Sequence, residues 1–291
     1  MSRMTNIFDN KPEDFFQKDD IIIHNITAYP GLSGLNVGYE NSIWRYDEFA
    51  EYLLDWLPEF ALKYSDISQM NHANSRKFLK QAAKTVYQTD KYRNRGEFGE
   101  LILHALIRFL FNSQPVISKI YYKTAANDTV KGFDAVHIVH VGSNLELWLG
   151  EAKFYKDIAD AIRDVVSELK QHCERDYLRE EFILVSNKID SNWEYAERLK
   201  KMISSRNSLD SIFLQICFPV LLTYESDIIH KNKLTTDTLR KELLNELNSN
   251  YDSFKLKLSP NSLKVHLILL PLDCKQTLVD CLNKKLEGLQ K

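Results

Sequence analysis

The sequence predicts an α/β protein: a mixed sheet flanked by helices, preceded by a helical N-terminal region. Three observations carry that expectation. Apolar residues recur at helical spacing in some segments and run or alternate as in strands in others. Residues 132–153, GFDAVHIVHVGSNLELWLGEAK, read as one β-hairpin. From residue 93 onward the order is helix, three strands, helix, strand. Residues 1–90 are expected to form a mostly helical region packed on the core, and residues 91–291 the sheet-bearing domain.

The bounds are those of an ordinary water-facing fold. A chain of 291 residues, 44% hydrophobic and 27% charged, can bury a real core. Its net charge of −2 gives no global attraction for a polyanion, so nucleic-acid contact would need a local patch or a partner that delivers the strand. Cys173, Cys217, Cys274 and Cys281 form no C-x-x-C pair and read as reduced thiols of a cytoplasmic protein. Residues 1–20 are polar and acidic, so no secretory signal is expected. The longest apolar stretch, 212–224, contains Gln215 and Pro219 and is shorter than the roughly 20 residues a bilayer needs, so no membrane span is expected.

In chain order, residues 21–29 read as a strand and TAYPGLSGLNVGYE as a loop. Its Gly31, Gly34 and Gly38 lack the Gly-Lys-Ser/Thr that a phosphate loop requires. Residues 46–64 and 75–87 read as helices, with Phe49, Leu53, Trp56 and Leu57 at helical spacing. Lys84, Lys91, Arg93 and Arg95, interleaved with Tyr87 and Tyr92, could hold a phosphate backbone and stack on a base, or form a solvated basic turn.

Residues 93–111 form an amphipathic helix. Phe98, Leu101, Ile102, Ala105, Leu106 and Phe109 make one apolar stripe, with Glu97, Glu100, His104 and Arg108 opposite. Gly96 and Gly99 would let its first turn approach another backbone closely. Residues 115–123 read as a strand, followed by the hairpin. If Gly142-Ser143 is a type II′ loop, Val141 faces Asn144 and Asp134 lies across from Glu151. Strand alternation then puts Glu151 and Lys153 on one side and Ala152 on the other.

Two carboxylates brought together repel unless a proton or cation lies between them. With oxygen donors alone, Mg²⁺ is the expected ion, and a neighbouring lysine could orient a water or offset charge on a phosphate. On its own, D-x16-E-x-K also fits a surface hairpin with charged ends. The remaining segments continue the α/β pattern. Residues 157–177 read as a helix, 181–187 as a strand, 193–206 as a helix and 212–224 as a strand. Residues 236–248 read as a helix, 265–270 as a strand, and the C-terminus as a helix. His137 and His140 should point to opposite faces, and no paired-ligand spacing marks a zinc site.

A helix bearing a glutamate, a strand, then G-x-D and E-x-K at a strand end resemble the PD-(D/E)xK nuclease superfamily. More narrowly, RGEFGELILHAL, KGFDAVHIV and LWLGEAKFY are similar to the nuclease subunit of the Hachiman anti-phage defence system, the HamA type, a family that includes the AbpA-type phage-resistance proteins. The motifs lie between Arg95 and Tyr155. The resemblance implies a restriction-endonuclease-like fold, with the nuclease domain over 91–291. It implies that Asp134 and Glu151 hold Mg²⁺, that Lys153 positions water or stabilises charge, and that a helix glutamate, Glu97 or Glu100, is a further ligand; Glu100 is the choice, being deeper in the helix and one turn before His104. It further implies DNA as substrate and a superfamily 2 helicase as partner. Residues 157–177 lack the Q-x-x-x-Y spacing of the RecB-like branch, which leaves Gln171 outside the expected site. A catalytically silent DNA-binding subunit, or an RNA-cleaving enzyme on the same scaffold, is compatible with the same residues.

Overall fold

A computed structural model describes residues 7–87, 96–117, 132–258 and 263–291. The strands are β1 (Ile21–Asn25), β2 (Gly31–Leu35), β3 (Tyr39–Glu40), β4 (Ile43–Trp44), β5 (Gln114–Ile117), β6 (Ala135–Val141), β7 (Asn144–Phe154), β8 (Ile216–Glu225) and β9 (Val265–Leu272). Seven of them form one sheet in the order β1-β2-β9-β8-β7-β6-β5, and β3 and β4 pair separately. The central pairs β2–β9, β9–β8 and β8–β7 are parallel, and both flanks are antiparallel. This is the mixed sheet the periodicity predicts.

Helices cover both faces. α1 (Tyr46–Asp55), α2 (Leu57–Ala61), α3 (Tyr64–Ile67), α4 (Ser75–Tyr87) and α5 (Gly96–Phe111) precede the hairpin. α6 (Ile158–His172), α7 (Arg175–Lys188), α8 (Ala196–Met202), α9 (Leu209–Phe213), α10 (Asp227–Lys231), α11 (Asp237–Lys257) and α12 (Lys275–Gln290) follow it. One apolar layer joins α1, α2, α5 and α12 to Trp148, Leu221 and Ile268. The other joins α6, α7 and α11 to Leu147, Leu149, Val220 and Leu267. Alternation along each strand thus feeds two cores, as a sheet buried on both sides requires. Among the described residues no helix is long and apolar enough to cross a membrane.

Several boundaries differ from the sequence reading, each for a physical reason. The helix expected over 46–64 is three short ones. Pro58 has no N–H for the fourth carbonyl back, so the first helix stops and Pro58 falls in the first turn of α2. The glycine-rich loop contains β2. A Cβ on Gly31 would stand 2.3 Å from the His266 ring on β9, and one on Gly34 would stand 2.5 Å from Leu247 on α11, so these glycines serve close packing within the sheet and of a helix upon it.

Residues 181–187 are helical, inside α7, rather than a strand. Leu178, Phe182, Val185 and Ile189 are buried at helical spacing, while Ile183 and Leu184 remain exposed. The expected strand over 212–224 begins at Ile216, because Ile212 and Phe213 belong to α9. The expected strand over 115–123 is β5 up to Ile117, and its remainder lies outside the described residues, as do Lys91, Tyr92, Arg93 and Arg95.

Candidate active site

The hairpin has the expected register. Val141 pairs with Asn144 and Ala135 with Gly150. Gly142 takes φ 60°, the left-handed conformation that the first loop position of a type II′ turn demands. One step beyond the last pair, the Asp134 N–H donates to the Gly150 carbonyl at 2.8 Å. The Asp134 carboxylate in turn accepts from the Ala152 N–H at 2.9 Å. Asp134 is therefore anchored to the strand that carries Glu151 and Lys153.

Asp134, Glu151 and Lys153 line one cavity of about 560 Å³. Glu151 and Lys153 are both buried, pointing to the face covered by α6. That helix begins at Asp157, whose side chain accepts the Asp160 N–H at 2.9 Å. It buries Ala161, Ile162, Val165, Val166 and Leu169. Glu168 and His172 flank this stripe one turn apart, on the same side of the helix. Glu168 forms an ion pair with Lys153, and His172 Nδ1 lies 2.6 Å from Glu151 Oε1. His172 is itself fixed between rings, stacked on Tyr177 at 4.3 Å and edge-on to Phe133 at 5.1 Å.

The opposite face of β7 meets α5. Close approach depends on Gly99, where a Cβ would stand 2.9 Å from the Phe154 Cβ and 3.6 Å from that of Ala152. Nothing comparable surrounds Gly96, so only one of the two expected glycines has this role. Glu100 follows directly, only 8% exposed, and lines a second cavity of about 580 Å³ with Asp134, Lys153, Lys156 and Lys275. Asp134 and Lys153 border both cavities, so the two adjoin there. Glu151 lines only the first and Glu100 only the second, while Glu97 lines neither.

The polar side expected on α5 is thus split. Glu100 faces the site, whereas His104 and Arg108 are buried in a separate network with Glu59 and His137. His140 lies on the other face of its strand, exposed, with its ring 4.8 Å from that of Tyr195.

Burial alone would depress the Lys153 ammonium. The hydrogen bond and charge of Glu168, with Glu151 and Asp134 behind it, outweigh that effect and hold its pKa above the ordinary lysine value. The neighbouring Cys173 thiol is pushed up to about 12 by burial and by Glu151, so it stays protonated.

Among the described residues no three His, Cys, Asp or Glu side chains converge as a metal-holding group. Asp134 and Glu151 nevertheless line one cavity with carboxylate oxygens, the donors a hard dication takes. Mg²⁺ is commonly held by one or two carboxylates plus water and substrate phosphate, and on that donor chemistry the pair fits. Sequence reasoning missed Glu168 and His172, and Gln171, left outside the expected site, lines the first cavity. The available signal was that Glu168 and His172 follow E-x-K at positions flanking the apolar stripe of the next helix.

Comparison with known proteins gives two matches. A family model described as HamA matches residues 13–286. The Escherichia coli (strain K12) protein named "Anti-bacteriophage protein A" is 23% identical over 265 residues, 86% of this chain and 47% of that protein. The chain spans about half the length of that curated relative. No solved structure matches.

Proposed function

The chain belongs to the HamA family, and from that premise we propose that it is a Mg²⁺-dependent DNA nuclease of anti-phage defence, working with a superfamily 2 helicase. The name of the E. coli relative supports the defence role. The observation that carries the nuclease reading is the meeting of Asp134, Glu151 and Lys153 in one cavity.

In this reading Asp134 and Glu151 hold Mg²⁺, with Glu100 contributing from the adjoining cavity. The bound ion would supply positive charge to the phosphate and acidify a water. Lys153 keeps its proton through its acidic neighbours and presents that charge to a phosphate oxygen. Glu168 fixes the Lys153 ammonium, and His172 fixes one oxygen of Glu151. Both functional side chains are thereby oriented before substrate arrives. At a net −2 the chain has no global field to draw in DNA, so a partner must deliver the strand, and the family resemblance makes that partner a helicase.

A second reading is a catalytically silent DNA-binding subunit on the same fold. The two are separated by incubating the purified protein with Mg²⁺ and plasmid, single-stranded DNA or RNA, with and without its helicase. Metal-dependent DNA cleavage that rises with the helicase is expected. Binding without cleavage of any substrate would establish the silent subunit, and cleavage confined to RNA would replace DNA as the substrate.

A further inference from the structure

The two cavities that meet at Asp134 and Lys153 differ in charge. Among the described residues, the wall on the α7 side adds Glu174, Glu180 and Glu181 to the acids of the site and no lysine or arginine. The wall on the α12 side adds Lys156 and Lys275. Besides Glu100 and Asp134, this cavity is lined by Asp157, which caps α6, and Asp160, which pairs with Arg163.

The two lysines are placed rather than scattered. Lys275, the first residue of α12, is half-buried and sends its ammonium across the Phe154 ring at 4.6 Å to the Phe154 carbonyl, one residue beyond Lys153. Lys156 lies two residues past that carbonyl. Both share a single carboxylate, since Glu225 Oε1 accepts the Lys275 backbone N–H at 2.9 Å and lies 3.6 Å from Lys156 Nζ. Burial and the charge of Lys156 lower the Lys275 pKa, with Glu225 opposing them only in part. Two ammonium groups thus stand near one shared carboxylate at the rim of the catalytic groups. An anion seated there would relieve their repulsion.

We propose that Lys156 and Lys275 form a phosphate-binding track that holds the substrate's phosphodiester backbone on the α12 side of the site. The acidic α7 side repels the same backbone, so the strand has one direction of approach. This deepens the nuclease reading and rests on it, but its test involves neither metal nor cleavage.

The test is the salt dependence of binding of the intact chain to a labelled DNA duplex, followed by fluorescence anisotropy in EDTA. Each phosphate contact contributes about 0.9 to the slope of log affinity against log salt. Lys156→Gln and Lys275→Gln should each lower that slope by about 0.9, so that the loss of affinity between roughly 50 and 200 mM salt shrinks about 3-fold per substitution. Lys275→Arg should keep the slope. Lys255→Gln, at an exposed lysine on α11, should leave it unchanged. Lys156 is largely exposed, so its variant decides the matter even if Lys275→Gln melts early. Unchanged slopes in the folded variants, or no binding by the unaltered chain at the lowest salt, would overturn the track. A track that survives while cleavage is absent would refute the nuclease reading alone.

Discussion

Single residues carry both the legible and the illegible parts of the site. Asp134, Glu151 and Lys153 could be placed together because a two-residue loop fixes register and alternation fixes the face. Glu168 and His172 could not, because their roles depend on where α6 crosses the sheet. The buried histidines are a similar case. His137 Nδ1 lies 2.8 Å from the Ser113 hydroxyl and its Nε2 3.2 Å from His104 Nδ1. His104 Nε2 lies 3.2 Å from Glu59, a contact that is ionic only when the imidazole is protonated, and Glu59 also forms an ion pair with Arg108 Nε at 2.6 Å.

Burial pushes both imidazoles below their ordinary value, His137 well below with help from His104 and Arg108. Burial and His24 push His266 down to about 3. Folded values below the unfolded value of about 6.5 mean that the unfolded chain takes up protons first as pH falls. Stability is therefore full above about 6.5 and lost progressively below it. Urea unfolding should show a lower midpoint at about pH 5 than at about pH 7, with unfolding free energy lost by at most about 2 kcal/mol for each such histidine. An unchanged midpoint would contradict the buried neutral pairs.

Elements were legible where one periodicity dominated. α5 and the β6–β7 hairpin were, since one has a clear helical stripe and the other two strongly apolar runs around a glycine turn. α7 misled because Phe182, Ile183, Leu184 and Val185 run apolar like a strand, although only Phe182 and Val185 of these are buried. β2 misled because its glycines serve neighbours that only the sheet reveals. The contact between α5 and β7 is the one on which the position of Glu100 depends, and it yields a prediction of opposite signs. Gly99→Ala should destabilise by about 1–3 kcal/mol through overpacking against Phe154. Gly96→Ala meets nothing within 4 Å and should be neutral or gain up to about 1 kcal/mol of helix propensity. Thermal or chemical melting of the two variants reads the difference, and equal effects would show that Gly99 sets no approach distance.

At the scale of the whole molecule, the sequence showed a mixed sheet between helices but not its strand order. β9, the last strand, inserts between β2 and β8, a pairing that depends on the entire chain and leaves no local mark. That insertion also carries the start of α12, and with it Lys275, to the rim of the site. A chain with net charge −2 then combines a local basic edge with an acidic wall, which suits weak binding of its own and a partner that presents the strand. In the proposed function the hairpin acids and lysine perform phosphodiester cleavage. The rate of Mg²⁺-dependent DNA cleavage, with the helicase present, by the unaltered protein and by Glu151→Gln and Lys153→Met tests this. Loss of about 100-fold or more in each variant, at an unchanged melting temperature, is the predicted result. Cleavage by either folded variant at close to the unaltered rate would contradict it.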